Sequence, residues 1–234
     1  MRGASGLFHP LHALKSFFWG NCSKEDQNLE RRLIEAIKQR NRSTGQKIFR
    51  SVNSITMRFP QLKEGLRNIN HLFNQYDEDR NGTIDHQEMK KCFDKMQIQL
   101  SDKDLHSLYR YCDIDGNKGI QYPEFIVLLC LAYLLTTSAV SSIAILGSEQ
   151  LSYMFNELFD AFLFLDKDGD GKLKRKDVVL SLNDSYHQEK SPGHVTSRRF
   201  KEMDLNKNGQ VTLKGFLFCI IKWIGIDSDD DMER

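Results

Sequence analysis

The sequence predicts an all-α chain of four helix–loop–helix units in two facing pairs, behind a helical amino-terminal extension. Three observations predict it. A twelve-residue pattern with oxygen-bearing side chains at alternate positions starts at Asp77, Asp113, Asp166 and Asp204, separated by 36, 53 and 38 residues. Two short separations around a longer one imply two pairs. Apolar residues at helical spacing flank the loops, as in Leu66, Ile69, Leu72 and Phe73 before the first and Met89, Cys92, Phe93 and Met96 after it. Position eight is Ile84, Ile120, Leu173 or Val211, each suited to a short β-pairing between partner loops.

Residues 1–24 contain no acid and mix Leu7, Phe8, Leu11, Leu14, Phe17, Phe18 and Trp19 with Arg2, Lys15 and Lys24. This composition fits an interfacial membrane anchor, a transit segment or an unstructured terminus, and Pro10 interrupts any early helix. Over residues 28–38, Leu29, Leu33, Ile34 and Ile37 follow helical spacing beside Arg31, Arg32 and Lys38. A second amphipathic stretch carries Phe49, Val52, Ile55 and Phe59 and stops before Pro60. Residues 1–60 hold eleven Lys or Arg against four Asp or Glu. A basic amphipathic helix suits a membrane surface, yet its apolar face is equally served by packing on the body of its own chain. The second is the expectation.

Residues 77–88 satisfy a calcium-loop pattern at seven positions. Ca²⁺ is a hard cation that takes six to eight oxygens at about 2.3–2.6 Å, so a short loop must curl alternate positions around one point. Asp77, Asp79 and Asn81 offer side-chain oxygens, Thr83 its carbonyl, Asp85 a water-mediated contact, and Glu88 both carboxylate oxygens. Gly82 takes the sharp turn. His86 is expected to face solvent at a position that does not ligate.

The second loop offers Asp113, Asp115, Asn117, Gln121 and Glu124 as weaker candidates, because Lys118 stands where a glycine should take the turn. It is expected to fold differently or bind weakly. Residues 125–147 then carry no charge, which raises a membrane span as a possibility; Thr136, Thr137, Ser138, Ser141 and Ser142 argue for a buried exit helix and a linker instead. In the third loop Asp166, Asp168, Asp170, the Lys172 carbonyl and Asp177 are candidate ligands. Asp177 is one methylene shorter than Glu, so this loop should bind Ca²⁺ less tightly and discriminate less against Mg²⁺. Lys174 adds a positive charge at position nine. The fourth loop offers Asp204, Asn206, Asn208 and Gln210 but ends in Gly215, which makes it a structural partner rather than a tight site. The chain thus divides into an extension (1–60), a first pair (61–135), a linker (136–150), a second pair (151–226) and an acidic tail (227–234).

Four such loops resemble the EF-hand calcium-binding proteins of the calmodulin superfamily, and the long extension is most similar to plant calmodulin-like proteins. The resemblance covers about residues 62–225. It implies four EF-hands in two paired lobes, Ca²⁺ as the cofactor, and a sensor that opens hydrophobic grooves to amphipathic helices of target proteins. Apolar faces containing Phe93, Met96 and Phe216 would then meet the target. A calcium buffer, or a membrane-docked adaptor using residues 1–60, stands as the alternative. No phosphate-binding glycine loop, nucleophile motif or histidine ligand spacing points to an enzyme, and no recognition motif accompanies the basic residues to suggest nucleic acid. Five scattered cysteines without a Cys-x-x-Cys pair favour a reducing compartment, so a cytoplasmic location is expected, with peripheral membrane contact through residues 1–60 as an alternative.

Overall fold

A computed structural model describes residues 23–43, 49, 51–137, 149–184 and 193–225. Residues 1–22, with the three readings of that segment, most of the linker and the acidic tail lie outside these residues. The first helix, α1 (Lys24–Ser43), extends beyond the apolar periodicity at both ends. Ser23 explains its start, since the Asp26 N–H donates to Ser23 Oγ at 3.1 Å and the Ser23 N–H donates to Asp26 at 3.2 Å. After the short α2 (Val52–Thr56), α3 (Phe59–Tyr76) starts at the proline that stops the preceding stretch. Pro60 is tolerated there because the first helical turn has no internal partner for its N–H.

Each loop is then bracketed by helices: α3 and α4 (His86–Lys95), α5 (Asp102–Cys112) and α6 (Tyr122–Thr137), α7 (Glu149–Leu165) and α8 (Arg175–Asp184), α9 (Gly193–Met203) and α10 (Leu213–Ile224). Position eight pairs the loops as its residues suggest. Ile84 and Ile120 form an antiparallel bridge, and β1 (Leu173–Lys174) pairs antiparallel with β2 (Gln210–Val211), setting Leu173 opposite Val211.

The two pairs share one core. Apolar on every side, α6 is buried all round, with Phe125, Ile126, Leu128 and Leu131 fully enclosed. Its heaviest neighbour is α10, and α3 packs on α7 and α10. Gly65 of α3 makes room for the Met154 thioether of α7, whose Sδ would stand 1.8 Å from an added Cβ. Tyr133 of α6 stacks on Phe159 of α7, and Phe162 meets Phe216 edge-on. Phe93, Met96 and Phe216 are all buried in this arrangement. The apolar face of α1, with Leu29, Leu33, Ala36 and Ile37, is buried against α5, α6 and α7. Among the described residues no helix is long and apolar enough to cross a membrane.

Candidate metal centres

All four loops follow one backbone trace. Positions four and six are left-handed in each: Arg80 and Gly82, Gly116 and Lys118, Gly169 and Gly171, Lys207 and Gly209. The position-six N–H donates to the first aspartate each time, at 3.0, 3.1, 2.8 and 2.9 Å for Asp77, Asp113, Asp166 and Asp204. Lys118 therefore takes the turn at φ +69°, and the second loop keeps the shape that its sequence put in doubt. A non-glycine residue in that region costs about 1–2 kcal/mol, which the hydrogen bonds of the loop offset.

Three loops gather carboxylates whose oxygens lie within 4.8 Å of one another: Asp77, Asp79 and Glu88; Asp113, Asp115 and Glu124; Asp166, Asp168 and Asp170. These hard oxygen donors fit Ca²⁺. Glu88 is held by the Glu78 and Asp85 N–H groups, both at 2.8 Å, and Glu124 by Ile114 and Gln121 at 2.7 and 3.0 Å. Each position-twelve glutamate thus ties its helix to both ends of its loop. Asp85 caps α4 by accepting from Gln87 and Glu88, while Asn81 accepts from the Thr83 N–H at 2.8 Å. In the second loop Asn117 accepts from Gly119, and the Gln121 amide donates to Asp115.

The third loop is built differently. Asp177 accepts from the Lys174 N–H at 2.8 Å and is not among the three clustered aspartates. The Lys174 ammonium lies instead against Asp168, at 2.6 Å, and against Asp170. Asp170 also accepts from the Lys172 N–H. In the fourth loop Asp204 accepts from Asn208 and Gly209, and Asn208 accepts from Gln210, so these side chains brace the turn; Asn206 is exposed. An added Cβ at Gly215 would stand 2.4 Å from the Met203 carbonyl oxygen, which leaves no room for a closing side chain.

Burial sets the electrostatics. It pushes Glu124 up to about 7 against the pull of two N–H donors, raises Asp113, and lifts Asp166 to about 6. Lys174 pulls Asp168 down.

Some contributors carry no sequence signal. The Tyr109 hydroxyl lies 2.9 Å from both the Ile84 and Lys118 carbonyls and so ties the first two loops together. Gly119 lets those loops touch, since a Cβ there would stand 2.6 Å from Thr83 Oγ1. His86, expected to face solvent, is half-buried. Its ring is 5.4 Å from those of His106 and Tyr109, and its Nε2 is buried without a hydrogen-bond partner, because the first turn of α4 packs on α5.

An EF-hand domain pair matches residues 67–129. The sequence is 46 % identical over 210 residues to the probable calcium-binding protein CML22 of Arabidopsis thaliana, covering 88 % of this chain and 90 % of that protein. The chain belongs to the calmodulin-like EF-hand proteins. A second calmodulin-like relative, the probable calcium-binding protein CML21 of Arabidopsis thaliana, is 41 % identical over 208 residues and covers 88 % of each chain. Calcium-dependent protein kinase 9 of Oryza sativa subsp. japonica is 28 % identical over 150 residues, but these make up only 23 % of the kinase. Likeness to the kinase is thus confined to a minor part of it, whereas the likeness to the calmodulin-like proteins covers most of both chains.

Proposed function

We propose that this calmodulin-like protein is a non-enzymatic calcium sensor whose moving part is α4. The observation that carries the reading is an asymmetry among exit helices. Whereas α6 and α10 are locked against each other in the shared core, α4 packs chiefly on α3 and α5 of its own pair; α8 packs likewise on α7 and α9 but follows the loop whose Asp177 stands outside its carboxylate cluster. Bound Ca²⁺ supplies two positive charges that draw oxygen ligands inward. Asp77, Asp79, Asn81, the Thr83 carbonyl, Asp85 and Glu88 would hold it in the first loop, and Asp113, Asp115, Asn117 and Glu124 in the second. Glu88 sits in the first turn of α4, so its inward movement turns the helix and uncovers Met89, Cys92, Phe93 and Met96 without dismantling the core. The uncovered face suits the apolar stripe of an amphipathic target helix. In the third loop, Asp177 and the Lys174 ammonium favour weaker binding that Mg²⁺ contests. Burial of the α1 apolar face favours the sensor over an adaptor that spends this face on a membrane. The four cysteines among the described residues, all free and buried, support a reducing, cytoplasmic location.

Calorimetric calcium titration of the wild type and of Glu88→Gln, with hydrophobic-dye fluorescence in parallel, tests the sensor. Binding accompanied by a dye signal, both sharply weakened in the variant, is the expected result. Binding without a dye response would make the protein a buffer, and no binding would overturn the calcium reading itself.

A further inference from the structure

The extension is joined to both pairs at once. At its first turn, Arg110 of α5 reaches Ser23 and Asp26 at 2.8 Å and Glu25 at 3.1 Å. About two turns further, Arg32 pairs with Asp104 of α5. Near the other end, Arg40 donates to Asn156 and Asp160 of α7 at 2.9 and 3.0 Å, with its guanidinium 5.5 Å from the Phe159 ring centroid. Alongside these anchors, Glu30, Ile34 and Asn41 form one stripe of α1, and that stripe lies along the third loop. Ile34 Cγ2 would be 2.8 Å from a Cβ at Gly171, the Lys172 ammonium is 2.7 Å from Glu30, and Asn41 borders Gly169.

These contacts fall on positions four, six and seven, the left-handed part of the loop and the residue after it. In the first and second loops that trace is braced from within, by a position-twelve glutamate bonded to both ends. The third loop has the shorter Asp177, so an outside support has more to contribute there. Glu30 also holds the Lys172 ammonium on the α1 side of the loop. Lys174 already sits against Asp168 and Asp170, and a second ammonium among those carboxylates would compete further with a divalent cation.

We propose that α1 is the outer wall of the third calcium loop, where Ile34 and Glu30 act as positioning residues that raise its affinity for Ca²⁺. The proposal rests on the calcium reading above. Holding the loop in its liganding trace before the ion arrives removes an ordering cost from binding. Linkage makes the effect reciprocal, so Ca²⁺ at the third loop tightens the docking of α1 and with it the closure of the two pairs. The four loops then divide their work: the first pair moves α4, and the third loop secures the body against which α4 moves.

The test uses the full chain and follows the Gly171 and Gly82 amides by ¹H–¹⁵N spectroscopy during a calcium titration. Both amides donate to the first aspartate of their loops and so report each loop separately. In Ile34→Ala and in the milder Glu30→Gln, the Gly171 midpoint should move to at least about threefold higher calcium while the Gly82 midpoint stays in place, a change of about 0.65 kcal/mol at tenfold per 1.4 kcal/mol. Hydrogen exchange of the α1 amides should also slow when calcium is added to the wild type. A Gly171 midpoint unmoved in Glu30→Gln and Ile34→Ala overturns the proposal, as does a wild-type Gly171 amide that ignores calcium while Gly82 responds. If neither amide responds, the calcium reading falls and this inference falls with it.

Discussion

At the scale of residues, position twelve separates the loops. Glu88 and Glu124 each bond both ends of their loop, Asp177 bonds Lys174 near one end, and Gly215 has no side chain. Restoring an acid at position 215 would ordinarily complete a calcium loop. Here the Met203 carbonyl stands 2.4 Å from where the Cβ would be, and backbone cannot rotate out of the way. Gly215→Glu is therefore expected to lower stability by about 1–3 kcal/mol, the usual range for overpacking, without adding a bound ion. Thermal melts and calorimetric stoichiometry check this, and an extra ion at unchanged melting temperature would refute it. The oxygen-bearing loop positions were readable because they fall within twelve residues of one another in the chain and differ only in side-chain chemistry. By contrast, nothing in the sequence could show Met203 lying over Gly215, since that contact depends on how α9 enters the fourth loop. Lys118 teaches the converse. Its side chain argues against the turn, but the loop framework imposes φ +69° all the same.

Among the elements, α1 has the most to add. Leu29, Leu33 and Ile37 are buried along it, and each such side chain contributes about 1.5–3 kcal/mol on burial. Exposed ion pairs are worth about 0–1 kcal/mol each, so packing sets the strength of docking and the charges set its register. Those charges also give docking a pH dependence. The Arg32 guanidinium holds the Asp104 carboxyl below its usual range; Asp26, although burial opposes it, is held low by hydrogen bonds from Arg110 and Ser23. For carboxyls depressed on folding, the contribution is complete above the unfolded value of about 3.9 and is lost as pH falls through the lower folded value. Protection of the α1 amides against hydrogen exchange, relative to intrinsic rates at the same pH, should therefore fall below about pH 4, before that of α6. Equal loss of protection in α1 and α6 would show that these pairs do not govern docking. Periodicity exposed the core-facing stripe of α1 but gave its ends four and five residues short, because Ser23 capping and Arg40 pairing act outside the apolar pattern.

On the scale of the whole molecule, two pairs that could have been independent lobes have a common interior. The central helix α6 meets α10, α1, α5 and α3, leaving none of its faces to solvent. Unfolding should accordingly be a single cooperative transition, and Leu128→Ala, at a fully buried site, should shift the entire transition by about 2–5 kcal/mol. Two separated calorimetric peaks, only one of which moves in the variant, would mean that the lobes fold alone. The sensor mechanism depends on the same architecture. In the proposed sensor, the shared core holds α6 and α10 and leaves α4 and α8 packed chiefly within their own pairs, and of these two only α4 carries a position-twelve glutamate.

By itself the sequence determined the local units: four loops, their ligand chemistry, their pairing through position eight, and the family to which they belong. Each rests on residues near one another in the chain, where spacing translates directly into geometry. Tertiary structure alone decided what covers the apolar faces. The exit helices of the two pairs cover one another, and α1 lies across the third loop, because a buried stripe records that it must be covered and not by which partner.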